Sequence, residues 1–144
     1  MSGNLPPGDH LSVVELPELD SWELLAEHEF GRLAFHLLDT VHIVPIHYAV
    51  HRRGVVFRTA DGSKLLGLSM NHDVALEVDQ HSADQARSVV VHGRARELQG
   101  HEARAAEGHL LTPWVRADTF HVFRIDPTEL TGRAFRLGPV ATAR

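Results

Sequence analysis

The sequence predicts a mainly β fold of the α+β kind, a six-stranded antiparallel barrel with flanking helices. Three observations support this prediction. Apolar and polar residues alternate with a period of two in several short segments, tight turns join the first of these segments, and helical patterns lie only between or before them. Short strands joined by tight turns favour a closed or nearly closed sheet, because closure leaves few exposed strand edges.

The chain is predicted to form one domain preceded and followed by tails. The first helix is expected to begin at Asp20, which has capping-box spacing with Glu23. Residues 1–19 then form a flexible N-terminal tail, residues 20–138 the barrel domain and residues 139–144 a C-terminal tail. At 144 residues the chain fits a single domain better than two.

The strand pattern begins after the first helix. Pro45 lies inside the second strand, so an edge, a bulge or a kink is expected there, and Gly93 is a candidate bulge in the fifth. Short helices are expected over residues 64–70 and 100–111. The strands are expected at residues 31–37, 41–51, 55–59 and 74–79, within 84–98, and at 120–125, with 132–137 as an extension of the sheet.

Composition excludes several classes of function. The chain has no cysteine, so disulfides, thiolate metal sites and cysteine nucleophiles are excluded. Its net charge of −5 argues against a nucleic-acid partner. No segment approaches the roughly 18 apolar residues of a membrane span. The N-terminus lacks the apolar core of a signal peptide, so a cytoplasmic protein without a membrane partner is expected.

The clearest candidate site lies where the third strand ends and the next helix begins. Arg58 and Thr59 end the strand, Gly62 permits a tight turn, and Ser63 and Lys64 open the helix. A helix N-terminus presents free N–H groups, and the two cations and two hydroxyls suit a bound phosphate. The same residues also fit an ordinary helix cap with solvated charges, so the pattern alone leaves both readings open.

Several further motifs follow one another in order between Trp22 and Phe135. Together with the strand-to-helix turn, their order and spacing resemble the pyridoxamine 5′-phosphate oxidase-like superfamily, the split β-barrel flavoproteins, and in particular its small bacterial members. The motifs are Trp22 with Leu24-Leu25, Gly31-Arg32-Leu33-Ala34, Val44-Pro45-Ile46-His47-Tyr48, Glu77-Val78-Asp79, Ser88 to Ala95, Pro113-Trp114, Arg124-Ile125 and Thr131-Gly132-Arg133.

This resemblance implies a split β-barrel homodimer with two FMN sites at the subunit interface. By analogy, Arg58, Thr59, Ser63 and Lys64 would hold the FMN phosphate, and the backbone of residues 44–47 would follow the isoalloxazine edge. The residues implied to line the cofactor are Val44, Pro45, Ile46, His47, Phe57, Arg58, Thr59, Ser63, Lys64, Leu65 and Trp114.

The resemblance also implies a reaction. It is two-electron transfer between a reduced nicotinamide or deazaflavin donor and a small organic acceptor, with the cofactor supplying the redox chemistry. The chain is shorter than the true oxidases and lacks their C-terminal substrate-phosphate residues, so oxidation of pyridoxamine phosphate is not expected. Some members bind a deazaflavin coenzyme or haem. The alternative function is therefore a non-catalytic flavin or haem carrier or sensor on the same fold.

Twelve histidines invite a metal hypothesis, but their spacing does not support one. His47 and His51 would share a strand face with about 13 Å between their Cα atoms, and no metal site is predicted. No catalytic residue is assigned; His47 is the one candidate, since it could face the flavin or substrate and donate a hydrogen bond or a proton. Glu77 and Asp79 are expected on a charged barrel exterior or in a dimer salt bridge, not as an acid–base pair.

Overall fold

The computed structural model describes residues 13–60, 62–110 and 120–137, and these residues form seven strands and three helices. Every strand pair is antiparallel, which confirms the mainly β class. The elements in chain order are β1 (Val13–Glu15), α1 (Glu18–Glu27), β2 (Phe30–Leu37), β3 (Thr40–His51), β4 (Gly54–Ala60), α2 (Ser63–Met70), β5 (Asp73–His81), β6 (Gln85–Glu97), α3 (Gly100–Glu107) and β7 (Phe120–Arg136).

Six of these strands close into a barrel, which confirms the predicted architecture. The sheet order is β1-β7-β4-β3-β2-β5-β6, and β6 also pairs with β7, so the ring returns to its start. One edge of β7 is shared by two strands: β4 pairs with residues 120–125 and β1 with residues 133–135. The long pairing of β6 with β7 over residues 85–97 seals the barrel, since no open edge remains between them.

Side chains from the strands and from α1 fill the barrel. Phe57 is fully buried and stacks on Phe123 with 5.8 Å between ring centroids. Leu24 and Leu25 of α1 join the same core. The Tyr48 hydroxyl donates a buried hydrogen bond of 2.6 Å to the carbonyl oxygen of Leu25, so a polar contact also holds α1 to the barrel. None of the described helices is long and apolar enough to cross a membrane.

The N-terminal boundary differs from the prediction. Val13–Glu15 is a strand and α1 begins at Glu18, although residues 1–19 were expected to be a tail; residues 1–12 lie outside the described part. Pro17 occupies the N-cap position, and Asp20 lies in the first turn instead of capping it. A three-residue strand is too short to show a period, and its partner lies more than a hundred residues away, so the local sequence carries no signal for it.

The C-terminal strand also differs from the prediction. The segments expected at 120–125 and 132–137 are one strand of 17 residues, β7, which passes through Pro127. The register with β6 shifts between His92 and Gly93, so Thr128 is an extra residue on β7. The irregularity thus lies opposite Gly93, but the bulged strand is β7 and not β6, so the bulge predicted at Gly93 itself is wrong. The extra residue on β7 explains how a proline is accommodated within a long strand. The helix expected over 100–111 ends at Glu107.

Candidate functional site

The barrel opens between β3 and β4. β3 pairs with β2 from Thr40 to His47, but it pairs with β4 only from Tyr48 to His51. The end of β4, residues 58–60, pairs only with β7 among the described residues. We call the opening between residues 40–47 of β3 and residues 58–60 of β4 the split; it is the feature that lets a ligand approach backbone that a closed barrel would cover.

Backbone groups of β3 point into the split. The Tyr48 N–H donates to the carbonyl oxygen of Glu29 at 2.9 Å, on the β2 side of the strand. Because backbone groups alternate between the two edges of an antiparallel strand, those of His47, Pro45 and Ile43 point to the other side. Pro45 has no N–H, and in the described part of the chain β3 pairs at this point with β2 alone, which agrees with an edge position, one of the three alternatives predicted for this proline.

The side chains of β3 and β4 alternate between the core and the split. Ile46 and Phe57 are buried in the barrel core, and Val44 and Leu65 pack against that core. Four residues implied to line a cofactor therefore direct their side chains inward, and Ile46 can contribute only backbone groups to a ligand in the split. Pro45 lies on the opposite face of β3 and is exposed.

His47 and Arg58 lie across the split from each other, one step beyond the last paired residues of β3 and β4. Burial lowers the pKa of His47, and the positive charge of Arg58 lowers it further against the opposing effect of Glu29. The imidazole is therefore mainly neutral at pH 7. Its Nε2 atom is buried and has no hydrogen-bond partner in the described residues, and the nearest carboxylate oxygen, of Glu29, is 3.9 Å away.

The turn into α2 has an open backbone. Gly62 has φ of +149° and ψ of −166°, a conformation that a residue with a side chain rarely adopts. A Cβ added there would meet nothing within 4 Å, so conformation, not crowding, requires glycine. Gly62 supplies no side chain to cap the helix, and the first backbone bond of α2 runs from the Leu66 N–H to the Gly62 carbonyl oxygen. The N–H groups of the first turn are thus available to an anion.

Lys64 stands in this first turn, and no carboxylate of the described residues compensates its charge. It is half-buried, and burial lowers the pKa of its ammonium group. No carboxylate pairs with it among residues 13–60, 62–110 and 120–137. An ammonium group held partly out of water without a partner is unfavourable, so an anion bound at the N-terminus of α2 would stabilise the folded state.

The remaining residues singled out in the sequence lie partly inside and partly outside the described part of the chain. Thr59 is buried, and its hydroxyl donates to the Ala60 carbonyl oxygen at 3.2 Å. The Ser63 side chain and the whole of Trp114 lie outside the described part of the chain. Arg32 contacts Glu77 at 2.6 Å and Asp79 at 2.7 Å on the barrel surface, which confirms the expected charged exterior.

Three residues beside the split carry no signal in the sequence. Phe30 packs on the His47 ring with 5.3 Å between centroids, and Glu29 lies next to it in the chain. The position of Phe30 and Glu29 beside His47 follows only from the β2–β3 register, which pairs Phe30 with His47. A Glu107 carboxylate oxygen is 4.0 Å from Nη1 of Arg58. It lies there because α3 packs over Val56 and Val122 on the outer face of β4 and β7.

In the described residues, no three His, Asp or Glu side chains are grouped to hold a metal ion.

The six strands form a complete ring, but β3 and β4 pair over only part of their length and leave an opening at which α2 begins. This architecture is a split β-barrel. The family model of pyridoxamine 5′-phosphate oxidase matches residues 17–134, and the chain therefore belongs to that family.

Solved structures show the same fold. The FAD-binding protein of Mycobacterium smegmatis is 36% identical to this chain, with a TM-score of 0.76, over 87% of this chain and 100% of that one. A FAD-binding protein of Mesorhizobium loti is 27% identical, with a TM-score of 0.78, over 86% and 97% of the two chains. A comparison by sequence adds one relative: an uncharacterised protein of Mycobacterium tuberculosis is 42% identical over 91 residues, which are 62% of this chain and 83% of that protein.

Proposed function

We propose that this protein is a flavin-dependent oxidoreductase that binds FMN, or the FMN half of FAD, at the split. The half-buried Lys64, unpaired in the described residues and set in the uncapped first turn of α2, is the observation that carries the proposal. The two FAD-binding relatives, at 36% and 27% identity, support a flavin as the ligand.

Each part of the split has a role in this proposal. The first-turn N–H groups of α2, with Lys64, Arg58 and the hydroxyl of Ser63, would hold the phosphate. The Thr59 hydroxyl would join them by exchanging its hydrogen bond to the Ala60 carbonyl oxygen for one to the phosphate. The backbone of β3 at residues 44–47 would lie along the isoalloxazine ring, where its unpaired groups can hydrogen-bond. Trp114 is expected near the flavin. When bound, a flavin supplies two-electron redox chemistry, while the protein binds it, orients it and shields one face.

The proposed reaction takes electrons from a reduced nicotinamide or deazaflavin and passes them to a small organic acceptor, inside the cytoplasm. Anaerobic mixing of the flavin-loaded protein with each donor tests this directly. Bleaching of the visible flavin absorption, and its recovery when a candidate acceptor is added, is the expected result. A flavin that stays oxidised with every donor would favour a carrier over an enzyme.

His47 is proposed to hydrogen-bond the flavin or its substrate through Nε2. A hydrogen bond to a buried group that would otherwise be unpaired contributes about 1–3 kcal/mol, so His47→Ala is expected to weaken flavin binding or lower turnover roughly tenfold. His92→Ala is the matched control, since that side chain is 56% exposed on β6. Flavin affinity and turnover that both stay at the wild-type value in His47→Ala would exclude this role.

A homodimer with the two cofactor sites at its interface is also proposed. Val41 and Ile43, 61% and 66% exposed, lie on the half of β3 that, among the described strands, pairs with β2 alone. Leu66 and Met70 of α2 are exposed as well. An apolar surface next to an open strand edge favours association, and a second copy of the chain would cover both.

The dimer makes its own prediction. Ile43→Asp places a charge on the exposed face of β3, and we expect it to shift the protein from dimer to monomer in sedimentation equilibrium and to weaken flavin binding. Leu19→Asp is the matched control, because Leu19 is 64% exposed on α1. A wild-type protein that sediments as a monomer at high concentration would contradict the dimer.

A second candidate, a haem carrier or sensor, is favoured by one observation. His47 is a mainly neutral imidazole whose buried Nε2 has no partner in the described residues, and such a nitrogen is a common axial ligand of haem iron. Titration with haem separates this reading from the first. A sharp Soret band that His47→Ala removes would support it, whereas unspecific binding retained by His47→Ala would exclude it.

A further inference from the structure

A second cationic site lies at the other end of β4, where the β3–β4 hairpin turns. Arg52 and Arg53 form a two-residue turn, and both adopt the left-handed conformation with φ of 52° and 55°. This conformation matches the twist of a two-residue hairpin, but it is unfavourable for residues other than glycine and asparagine. Two arginines at these positions therefore carry a conformational cost that a glycine would avoid, and such strain is often retained for function.

Arg124 fixes this turn from β7. Its Nη1 donates to the His51 carbonyl oxygen at 2.7 Å and its Nη2 to the Arg52 carbonyl oxygen at 2.9 Å. Any Cβ at Gly54 would collide with the Arg124 guanidinium group, so the glycine is needed for this close approach. The turn is thus held rigid by a largely buried cation, and Arg52 is presented in a defined place.

A cleft of about 530 Å³ opens beside the turn, and β3, β6, β7 and α3 all contribute to it. Its wall carries three arginines and two carboxylates. Arg96 holds both carboxylates, with 2.6 Å to Asp126 and 3.1 Å to Glu102, and Arg124 also contacts Asp126 at 2.7 Å. Arg52 makes no ion pair with any residue in the described ranges, so the cleft keeps one positive charge that no described carboxylate neutralises.

Two histidines complete the cleft wall, His51 from β3 and His101 from α3. Burial lowers the pKa of His51, and the proximity of His109 and the positive charges of Arg52 and Arg124 lower it further. Arg52 and Arg124 therefore contribute a positive electrostatic potential at His51, in a protein whose net charge is −5. A concave surface with a guanidinium group that no described carboxylate neutralises, and with two imidazoles, has the donors that an oxyanion needs.

We infer that this cleft binds a phosphate group, carried by a small metabolite or free in solution. Its donors come from a turn, a strand and a helix, and so approach from several directions, which suits a tetrahedral phosphate better than a planar carboxylate. The cleft is distinct from the split. Gly54 and Arg58 are four residues apart on β4, which corresponds to about 13 Å along the strand.

Two glycine variants test this inference without damaging the fold. Arg52→Gly removes the cation that has no ion pair among the described residues. Arg53→Gly is its matched control in the same turn, since Arg53 contacts Glu18 at 3.3 Å and does not line the cleft. Glycine relieves the left-handed conformation at either position, so both variants are expected to melt at or above the wild-type temperature. Any loss of binding in Arg52→Gly then reflects the lost charge.

The measurement is calorimetric titration with inorganic phosphate, carried out in a Lys64→Ala background so that α2 contributes no cation. We expect Arg52→Gly to weaken phosphate binding at least tenfold and Arg53→Gly to leave it within twofold. Equal affinities in the two variants, or binding that disappears with Lys64→Ala alone, would overturn the inference. Titration with adenosine monophosphate distinguishes a phosphate carried by a metabolite from free phosphate. Tighter binding of adenosine monophosphate than of inorganic phosphate indicates a nucleotide ligand, and equal affinity indicates phosphate itself.

Discussion

Simultaneous replacement of Arg58 and Lys64 by alanine is expected to abolish FMN binding. Each side chain would make a charge-assisted hydrogen bond to the phosphate, and such bonds contribute about 1.5–3 kcal/mol each. Lys64→Ala alone should therefore weaken binding roughly tenfold to a hundredfold. The double variant should show no binding in a fluorescence titration at FMN concentrations that saturate the wild-type protein.

The fold should tolerate the Lys64 half of this double change, whereas the Arg58 half removes the 4.0 Å contact with Glu107. Lys64 is half-buried without a described partner, so its removal costs no ion pair and relieves a partly desolvated charge. Arg94→Ala is a control that removes an arginine from β6, where it pairs with Asp73 at 2.8 Å on the barrel surface. An unchanged FMN affinity in the double variant, with the control also unchanged, would show that the flavin phosphate does not lie at α2.

Phe57→Ala is expected to produce the largest loss of stability. Phe57 is fully buried and stacks on Phe123, and truncation of such a side chain costs about 3–5 kcal/mol. Natural domains are stable by only about 5–15 kcal/mol, so this variant should lose at least about a fifth of its free energy of unfolding. Urea denaturation of the wild type and the variant measures the difference.

A milder substitution at Phe57 tests whether this side chain only fills the core or also contacts the cofactor. Phe57→Leu keeps most of the volume of the side chain, so it should cost far less stability and leave FMN affinity close to wild type. Leu19→Ala, at an exposed position of α1, should change stability by less than about 0.5 kcal/mol. A Phe57→Leu variant that is stable but no longer binds FMN would show that Phe57 contacts the cofactor, contrary to its place in the core.

The barrel itself was predictable because its strands carry strong local patterns. The alternation of Val44, Ile46 and Tyr48 with Pro45 and His47 appears unchanged as inward and outward faces in the structure. Elements that depend on tertiary contacts were not predictable. β1 is stabilised by its pairing with β7, and the continuity of β7 through Pro127 depends on a register shift with β6.

The site was only partly predictable for the same reason. Gly62 and Lys64 are adjacent in the chain and form a local motif, so the sequence located them. The split is a property of pairing: His47 and Arg58 face each other only because β3 and β4 separate at that point. Glu107 approaches Arg58 because α3 packs on Val56 and Val122, and no spacing along the chain encodes that contact.

Thermal unfolding with and without added FMN tests the central claim most directly, because a ligand that binds only the folded state must stabilise it. At a free FMN concentration one hundred times its dissociation constant, the stabilisation is about 2.7 kcal/mol, which corresponds to a rise in melting temperature of about 8 °C for a chain of this size. The account predicts that rise for the wild-type protein and none for the variant lacking Arg58 and Lys64. A purified, colourless wild-type protein whose melting temperature does not change with FMN or FAD would contradict it.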